Sequence, residues 1–400
     1  MKVTIVSSSD SGGAGIAALR LHKALMSCGI DSSMLCLYKT TDTPEVYEYK
    51  KSFFAKVIDH LPFIPYKQNK YKKYYPELSK HYECISFPEA IYDISTHPLI
   101  QQADIINLHW VGNMLDYSRF FQKVKKPIIW TLHDMNPFLG IAHYLGDRNT
   151  NNQFFSLEEK VRKFKLTAIN SHSNVSVVNL CQWMREESER SETFINRKHT
   201  IIPNSINTSI FKAYDQIEVR RKMNLPIDKP ILLFVSQSVD NNRKGFDLLQ
   251  NAIKRLSNDC FLLVVGEASN DLVNKGDYRF LGSIKEEERM AMVYAAADAF
   301  ILPSREDNLP NTMVESLCCG TPVISFSNGG MRNHIRTLEN GVLVEDTTSD
   351  ALLNGIHLFL NNIDKFDRKF ITKKAHSVFS PPIQAERYIY FFQTILSKRK

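Results

Sequence analysis

Four hundred residues, 43% hydrophobic and 23% charged with a formal net charge of +7, make an ordinary globular composition on a chain too long for one hydrophobic core. No uncharged apolar run is long enough to span a bilayer, and the opening M-K-V-T-I-V-S-S-S lacks a signal peptide's apolar region and cleavage site. The seven cysteines contain no Cys-x-x-Cys pair. Odd in number and mostly in apolar settings, they are expected to be reduced core residues in a cytoplasmic protein.

Along the first half, short apolar runs at residues 3–6, 33–37, 104–108, 127–132 and 175–180 alternate with helical patterns, the first of them at 14–26. The pattern then repeats. Runs at 231–235, 261–265, 280–281, 299–302 and 322–325 follow, with helices expected at about 246–256 and 311–319. Continuous apolar strands alternating with helices indicate parallel sheets covered on both faces. Two such series imply two doubly wound, Rossmann-like α/β domains, joined near I-P-N-S-I-N where Pro203 breaks the pattern. Open parallel sheets bind ligands at the carboxyl ends of their strands, and two facing domains would form a cleft from those ends.

Between Lys50 and Lys80, eight lysines stand against Asp59 and Glu77, with seven aromatic residues interleaved. Nucleic acid, an anionic membrane surface or a solvated insertion could each account for this stretch, and the solvated insertion is favoured. Pro62, Pro65 and Pro76 rule out one long amphipathic helix there.

Several strand-end loops carry chemistry. The first, S-D-S-G-G-A-G, holds Gly12 and Gly13 and lets backbone approach a ligand, although it does not match G-x-G-x-x-G. His109 in N-L-H-W and His133 in T-L-H-D-M-N-P each read singly as core or loop histidines. Two of them at equivalent strand ends favour ligand contact. In V-S-Q-S-V-D-N-N-R-K-G, Arg243 and Lys244 precede a helix, a setting suited to a diphosphate or to an exposed basic turn. Glu306, Asp307 and Glu315 surround a strand end and the opening turns of the next helix, where a carboxylate is favoured by the helix dipole and can accept ribose hydroxyls. There is no G-x-S-x-G, no H-E-x-x-H, and no Asp-x-Asp to bridge a divalent cation, so no metal or cofactor is expected.

The combination resembles the family 4 retaining glycosyltransferases of the GT-B fold. The matching pieces run in family order through I-I-P-N-S-I-N (201–207), R-K-G-F-D-L-L (243–249), L-L-V-V-G (262–266) and F-L-G (280–282). A-A-A-D-A-F-I-L-P-S (295–304), V-E-S-L-C-C-G-T-P-V-I (314–324), S-N-G-G (327–330) and N-G-V-L-V (340–344) complete the series. The first half resembles the family more loosely, through the glycine loop and T-L-H-D-M-N-P. The resemblance implies domains at 1–203 and 204–375, with 376–400 a helix returning to the first. It implies that Glu315, the second acid of the Glu-x₇-Glu motif, holds the ribose, and that Asp307, with Glu306 beside it, addresses the donor sugar. Lys244 and Arg243 would bind the diphosphate, Gly12 and Gly13 would admit it, and His133 would lie beside the transferred sugar. Gly282, Asn308 and Leu309 would line the nucleotide-sugar site, and His109 and Trp110 the acceptor side. Two departures stand out: the first acid is Asp rather than Glu, and Ser238 occupies the place of an arginine.

The function the resemblance implies is metal-independent transfer of a hexose from a UDP- or GDP-sugar to a glycan in cell-surface polysaccharide synthesis. The acceptor would be lipid-linked, with the enzyme cytoplasmic or peripheral at the inner face of the membrane and no nucleic-acid partner. The alternative is a GT-B protein that binds nucleotide sugar without transferring it, as a partner or regulator. An epimerase or hydrolase on the same fold fits the R-K-G and V-E-S-L-C-C-G pieces less well.

Overall fold

The computed structural model describes residues 1–50, 71, 73–256, 260–268 and 278–397. The chain divides into two compact units, Met1–Pro203 with Gln384–Lys400, and Asn204–Ile383. Each is a wholly parallel α/β sheet, and the two together have the architecture of two Rossmann-like domains.

In the first unit, strands β1 (Lys2–Ser9), β2 (Asp31–Tyr38), β3 (Val46–Glu48), β4 (Ile105–Leu108), β5 (Ile128–Leu132), β6 (Val175–Asn179) and β7 (Lys198–Ile201) lie in the order β3-β2-β1-β4-β5-β6-β7. Register pairs Val3 with Ile105, Ile106 with Ile128 and Trp130 with Val177. Alternate residues of one strand enter opposite cores: Val3 and Ile5 face one cluster, Val6 the other. Burial on both faces is why these strands read as unbroken apolar runs rather than as an alternation. Helix α1 (Gly12–Ser27) covers one face through Ala18, Leu21, Ala24 and Leu25. On the other face lies α2 (Phe155–Asn170), whose Val161 and Ile169 join the second cluster.

In the second unit, β8 (Ile231–Ser238), β9 (Phe261–Glu267), β10 (Tyr278–Phe280), β11 (Ala299–Leu302), β12 (Val323–Phe326) and β13 (Gly341–Val344) are ordered β10-β9-β8-β11-β12-β13. Helices α3 (Phe246–Ile253), α4 (Glu287–Ala296), α5 (Asn311–Cys318), α6 (Ser349–Leu360) and α7 (Arg368–Phe379) flank it. The chain re-enters the first unit at Gln384 rather than at 376, because α7 belongs to the second unit. Its Arg368 guanidinium donates to the carbonyls of Ala297 (2.7 Å) and Ala295 (3.0 Å), and Ile371, Ala375 and Phe379 are buried. The final helix, α8 (Pro381–Ser397), opens on two prolines, which suit a first turn whose N–H groups have no intrahelical partner. Ala385, Tyr388, Phe392 and Ile395 form its apolar stripe and join the cluster under β1.

Three strands carry no strong periodic signal and were not expected from pattern alone: β3 and β13 are short edge strands, and β7 is only half-buried. The lysine- and aromatic-rich stretch lies largely outside the described residues. Within its described part, Tyr71 is buried and stacks on Phe87 with ring centroids 4.1 Å apart, and Tyr75 tilts against the same ring. Among the described residues no helix is long and apolar enough to cross a membrane.

Candidate active site

In the second unit the loops after β8, β11 and β12 converge. After β8, Asn241 caps a short 3-10 turn by accepting from Arg243 N (3.0 Å), and this turn presents Arg243 and Lys244. Gly245 follows at φ +72, and a Cβ there would lie 2.0 Å from the Pro303 carbonyl oxygen. The glycine of R-K-G is thus required by a close backbone approach between the β8 and β11 loops. Arg305 N donates to Arg243 O (2.8 Å), and the Arg305 guanidinium grips Asp247 bidentately at 2.9 and 2.7 Å.

Asp307 comes from the β11 loop and is 8% exposed. Lys244 Nζ donates to its Oδ2 at 2.5 Å, and Arg243 Nη1 lies 3.4 Å from the same oxygen while donating to Glu306 O at 2.8 Å. Burial pushes the Asp307 carboxyl up, but Lys244 and Arg243 outweigh it and hold it below the ordinary carboxylate value. The S-N-G-G turn after β12 supports this loop from below. Gly330 N donates to Asp307 O (3.1 Å), a Cβ on Gly329 would sit 1.9 Å from that oxygen, and Asn328 donates to the carbonyls of Ser304 and Arg305.

Glu315 is the fifth residue of α5 and half-buried. The hydroxyl of the fully buried Tyr294, on α4, donates to its Oε2 at 3.1 Å. Sequence reasoning missed Tyr294. Its signal is a phenol inside the buried helical run M-V-Y-A-A-A, where the hydroxyl needs a partner. Asn308 and Leu309 are buried beside Asp307, whereas Ser238, at the end of β8, has an exposed side chain. Gly282, just past β10, sits at φ +71 with open space where a Cβ would be, and its carbonyl accepts from Gly266 N at 3.0 Å.

The first unit gathers a different set. Gly12 and Gly13 open the 16-residue α1, are exposed, and have open space where a Cβ would lie. Gly15, by contrast, packs against Ser9 O, which a Cβ would approach to 2.6 Å. Strands β4 and β5 are neighbours, and the residues that follow them, His109 and His133, meet with Nδ1 of the first 2.8 Å from Nε2 of the second. His109 Nε2 lies 3.1 Å from Asn107 Oδ1. Burial pulls both imidazoles down, His133 to about 4, so both are neutral at pH 7. Trp110 Nε1 donates to Asp134 Oδ2 (2.8 Å), which also lies 2.6 Å from His143 Nδ1. Burial opposes charge on His143, yet Asp134 raises it to about 10, and the two form a buried ion pair. A small cavity is lined by His109, Trp110, Tyr117, His133, Asp134 and His143, among others.

Beneath the T-L-H-D-M-N-P loop, Lys165 is 1% exposed and donates to Asn136 O, Asn136 Oδ1 and Gly140 O at 2.7, 2.9 and 2.6 Å. Glu158 accepts from Ile141 N (2.7 Å) and Ala142 N (3.1 Å). These two α2 residues splint the loop that carries His133 and Asp134. None of Asp134, His143, Lys165 or Glu158 was singled out from sequence. Asp134 directly follows His133, and Lys165 is a cation on the buried face of a helix; those were the available signals.

Comparison with known proteins places this geometry. Residues 229–362 match the family model described as glycosyl transferases group 1. The chain is 23% identical over 359 residues to the D-inositol 3-phosphate glycosyltransferase of Xylanimonas cellulosilytica, covering 84% of this chain and 80% of the relative. Over 169 residues it is 31% identical to the lipopolysaccharide core biosynthesis glycosyltransferase LpsE of Rhizobium meliloti, covering 40% of this chain and 47% of that one. Sucrose-phosphate synthase from Thermosynechococcus elongatus superposes with TM-score 0.73 at 18% identity, over all of both chains. Anabaena HepE, solved in complex with UDP-glucose, does so with TM-score 0.66 at 15% identity, over 98% of this chain and 100% of that one. With both sheets parallel and the motif loops gathered at the strand ends, the chain carries a glycosyl transferases group 1 domain over residues 229–362 and is a homologue of the GT-B glycosyltransferases of the GT4 type.

Proposed function

We propose that the protein is a retaining glycosyltransferase that moves a hexose from a UDP- or GDP-sugar to a glycan acceptor without a metal ion. The observation that carries this reading is the cluster in which Lys244 and Arg243 share the Asp307 carboxylate at 2.5 and 3.4 Å. Two cations that share one carboxylate leave net positive charge at the strand ends, where a diphosphate has replaceable partners. Glu315, oriented by Tyr294, accepts the two ribose hydroxyls.

In the transfer itself the bond between sugar C1 and the phosphate oxygen breaks, and a new bond forms from C1 to the acceptor oxygen. The acceptor's proton passes to the departing phosphate oxygen. No side-chain nucleophile is required. Lys244, Arg243 and helix N–H groups stabilise the negative charge that develops on the leaving diphosphate, the task a divalent cation performs elsewhere. Asp307 and Glu306 orient the sugar through its hydroxyls. The LpsE likeness supports an acceptor in cell-envelope glycan assembly, and we extend it to a lipid-linked glycan met at the inner face of the membrane.

A panel of UDP-, GDP- and ADP-sugars tests the reading by thermal shift and by release of nucleoside diphosphate, both in EDTA. Binding only to the folded state raises the melting temperature by mass action. A shift with one donor class together with diphosphate release supports the transferase. A shift without release on any acceptor would make the protein a nucleotide-sugar binder, and no shift with any donor would overturn the assignment.

A further inference from the structure

The two cations of the second unit sit on a very short element. Arg243 and Lys244 belong to the 3-10 turn Asn242–Lys244, and such turns have poor hydrogen-bond geometry and little rigidity of their own. Within it, Gly245 N donates to Asn242 O at 3.1 Å and Lys244 N to Asn241 O at 2.9 Å. From outside, the turn is held by Arg305 in the loop after β11. The Arg305 main-chain N–H donates to Arg243 O at 2.8 Å, and its Nη1 donates to Asn242 O, so one residue holds two successive carbonyls of the turn. The same guanidinium forks onto Asp247 in the first turn of α3, Nη1 to Oδ1 at 2.9 Å and Nη2 to Oδ2 at 2.7 Å. Asn328 Nδ2 donates to Arg305 O at 2.9 Å, which anchors the residue to the turn after β12. Arg305 stands two positions before Asp307, the carboxylate that Lys244 reaches at 2.5 Å.

We infer that Arg305 is a positioning residue: gripped by Asp247, it ties the turn 242–244 to the loop after β11 and so sets Arg243 and Lys244 against Asp307. This rests on the transferase reading for what the two cations bind, but not for the tie. Ser238 occupies the place of an arginine, and Arg305 does not supply that missing charge to a ligand. Its own charge is engaged by a carboxylate, and the fork, against partial burial, holds the Asp247 carboxyl below its ordinary value. A lysine could not do the same, since only the planar guanidinium reaches a carbonyl and both carboxylate oxygens at once. The pair is partly open to solvent, with side-chain exposures of 30% for Arg305 and 52% for Asp247, so it contributes little to global stability. Its leverage is geometric, because a misplacement of about 1 Å at a reacting centre can cost about 10²-fold in rate.

Arg305→Met keeps the main-chain bond to Arg243 O and removes the guanidinium. Hydrogen exchange followed by mass spectrometry should show residues 241–249 exchanging about tenfold faster in this variant, with β9 and β12 unchanged. Its melting temperature should stay within about 2 °C of wild type. Turnover should fall about tenfold at saturating donor, with affinity for UDP or GDP in EDTA reduced no more than about threefold. Asp247→Asn separates positioning from direct contact. If the fork positions the turn, this variant also lowers turnover, and the double variant is no worse than Arg305→Met alone. Tighter diphosphate binding in Asp247→Asn would mean that the released guanidinium reaches the ligand, and would overturn the inference. So would unchanged exchange of residues 241–249 in folded Arg305→Met, or additive losses in the double variant. If neither nucleotide binds the wild type, the diphosphate reading falls, and the exchange rates alone decide the tie.

Discussion

Lys244, Arg243 and Asp307 in the second unit keep side-chain exposures of 23%, 14% and 11%, whereas in the first unit Asn107 and Thr131 are fully buried and His109 is 3% exposed. The partly open charges can exchange partners, because solvent and an arriving anion share the cost of separating Lys244 from Asp307. Asn107, bonded to Ile129 O, Thr131 and His109, cannot exchange partners without leaving polar groups unpaired in the interior. One region is therefore suited to recognising a charged ligand, the other to holding a fixed pattern of hydrogen bonds. They should fail differently: loss of a charge changes affinity and turnover by large factors, while loss of a buried hydrogen-bonding side chain such as Asn107 leaves its partners unpaired and lowers stability.

The largest effect is expected at Lys244. Lys244→Ala should lower turnover by about 10²–10³-fold, the scale for removing one group that stabilises developing negative charge. Arg243→Ala should cost less, since its nearest Asp307 contact is 3.4 Å and it is also committed to Glu306 O. Steady-state rates in EDTA check both, and equal, small losses would place the leaving-group cation elsewhere.

Glu315 comes next. Glu315→Gln should weaken nucleotide binding by roughly 1–3 kcal/mol, the scale of charged hydrogen bonds, with little change in melting temperature. Tyr294→Phe removes only the bond that orients Glu315, and should cost roughly 0.5–1.5 kcal/mol in the same titration. A Tyr294→Phe effect as large as that of Glu315→Gln would mean that the phenol itself contacts the nucleotide.

The smallest effect concerns stability and the one buried ion pair of the first unit's cavity. His143 is raised from 6.5 to about 10 in the fold by Asp134, so the stability it contributes is fully present below pH 6.5 and is lost as pH rises through about 10. Asp134 is depressed, and its share is present at neutral pH and lost as pH falls through its lowered value. The melting-temperature gap between wild type and His143→Gln should therefore be widest near pH 6 and narrow steadily toward pH 10. A gap independent of pH would show that the pair is not ionised.

The same contrast explains what could be read from the sequence. The second unit's site is built from contiguous pieces, R-K-G, E-D-N-L-P, V-E-S-L and S-N-G-G, in which each residue's neighbours in sequence are also its neighbours in space. Its glycines carry a visible reason too: Gly245 and Gly329 each meet a carbonyl that a side chain would strike. The continuous apolar strands made both parallel sheets legible. The first unit's buried hydrogen bonds were not legible, because their partners are far apart in the chain. Thr131 and its hydrogen-bond partner Tyr388 lie 257 positions apart, and Asn107 looks like any polar residue within a strand until β5 is laid beside β4. Tyr294 was hidden for a related reason, as its carboxylate partner lies on a different helix.

The most direct test of the central claim is calorimetric titration of UDP and GDP, in EDTA, into wild-type protein and Asp307→Asn. In the free protein Asp307 occupies Lys244 at 2.5 Å, so a diphosphate must displace it. Removing the carboxylate's charge should therefore tighten binding of one of the two nucleoside diphosphates by several-fold, while transfer of the sugar declines. Failure of both nucleotides to bind either protein, or weaker diphosphate binding in Asp307→Asn, would contradict a diphosphate site built on Lys244 and Arg243.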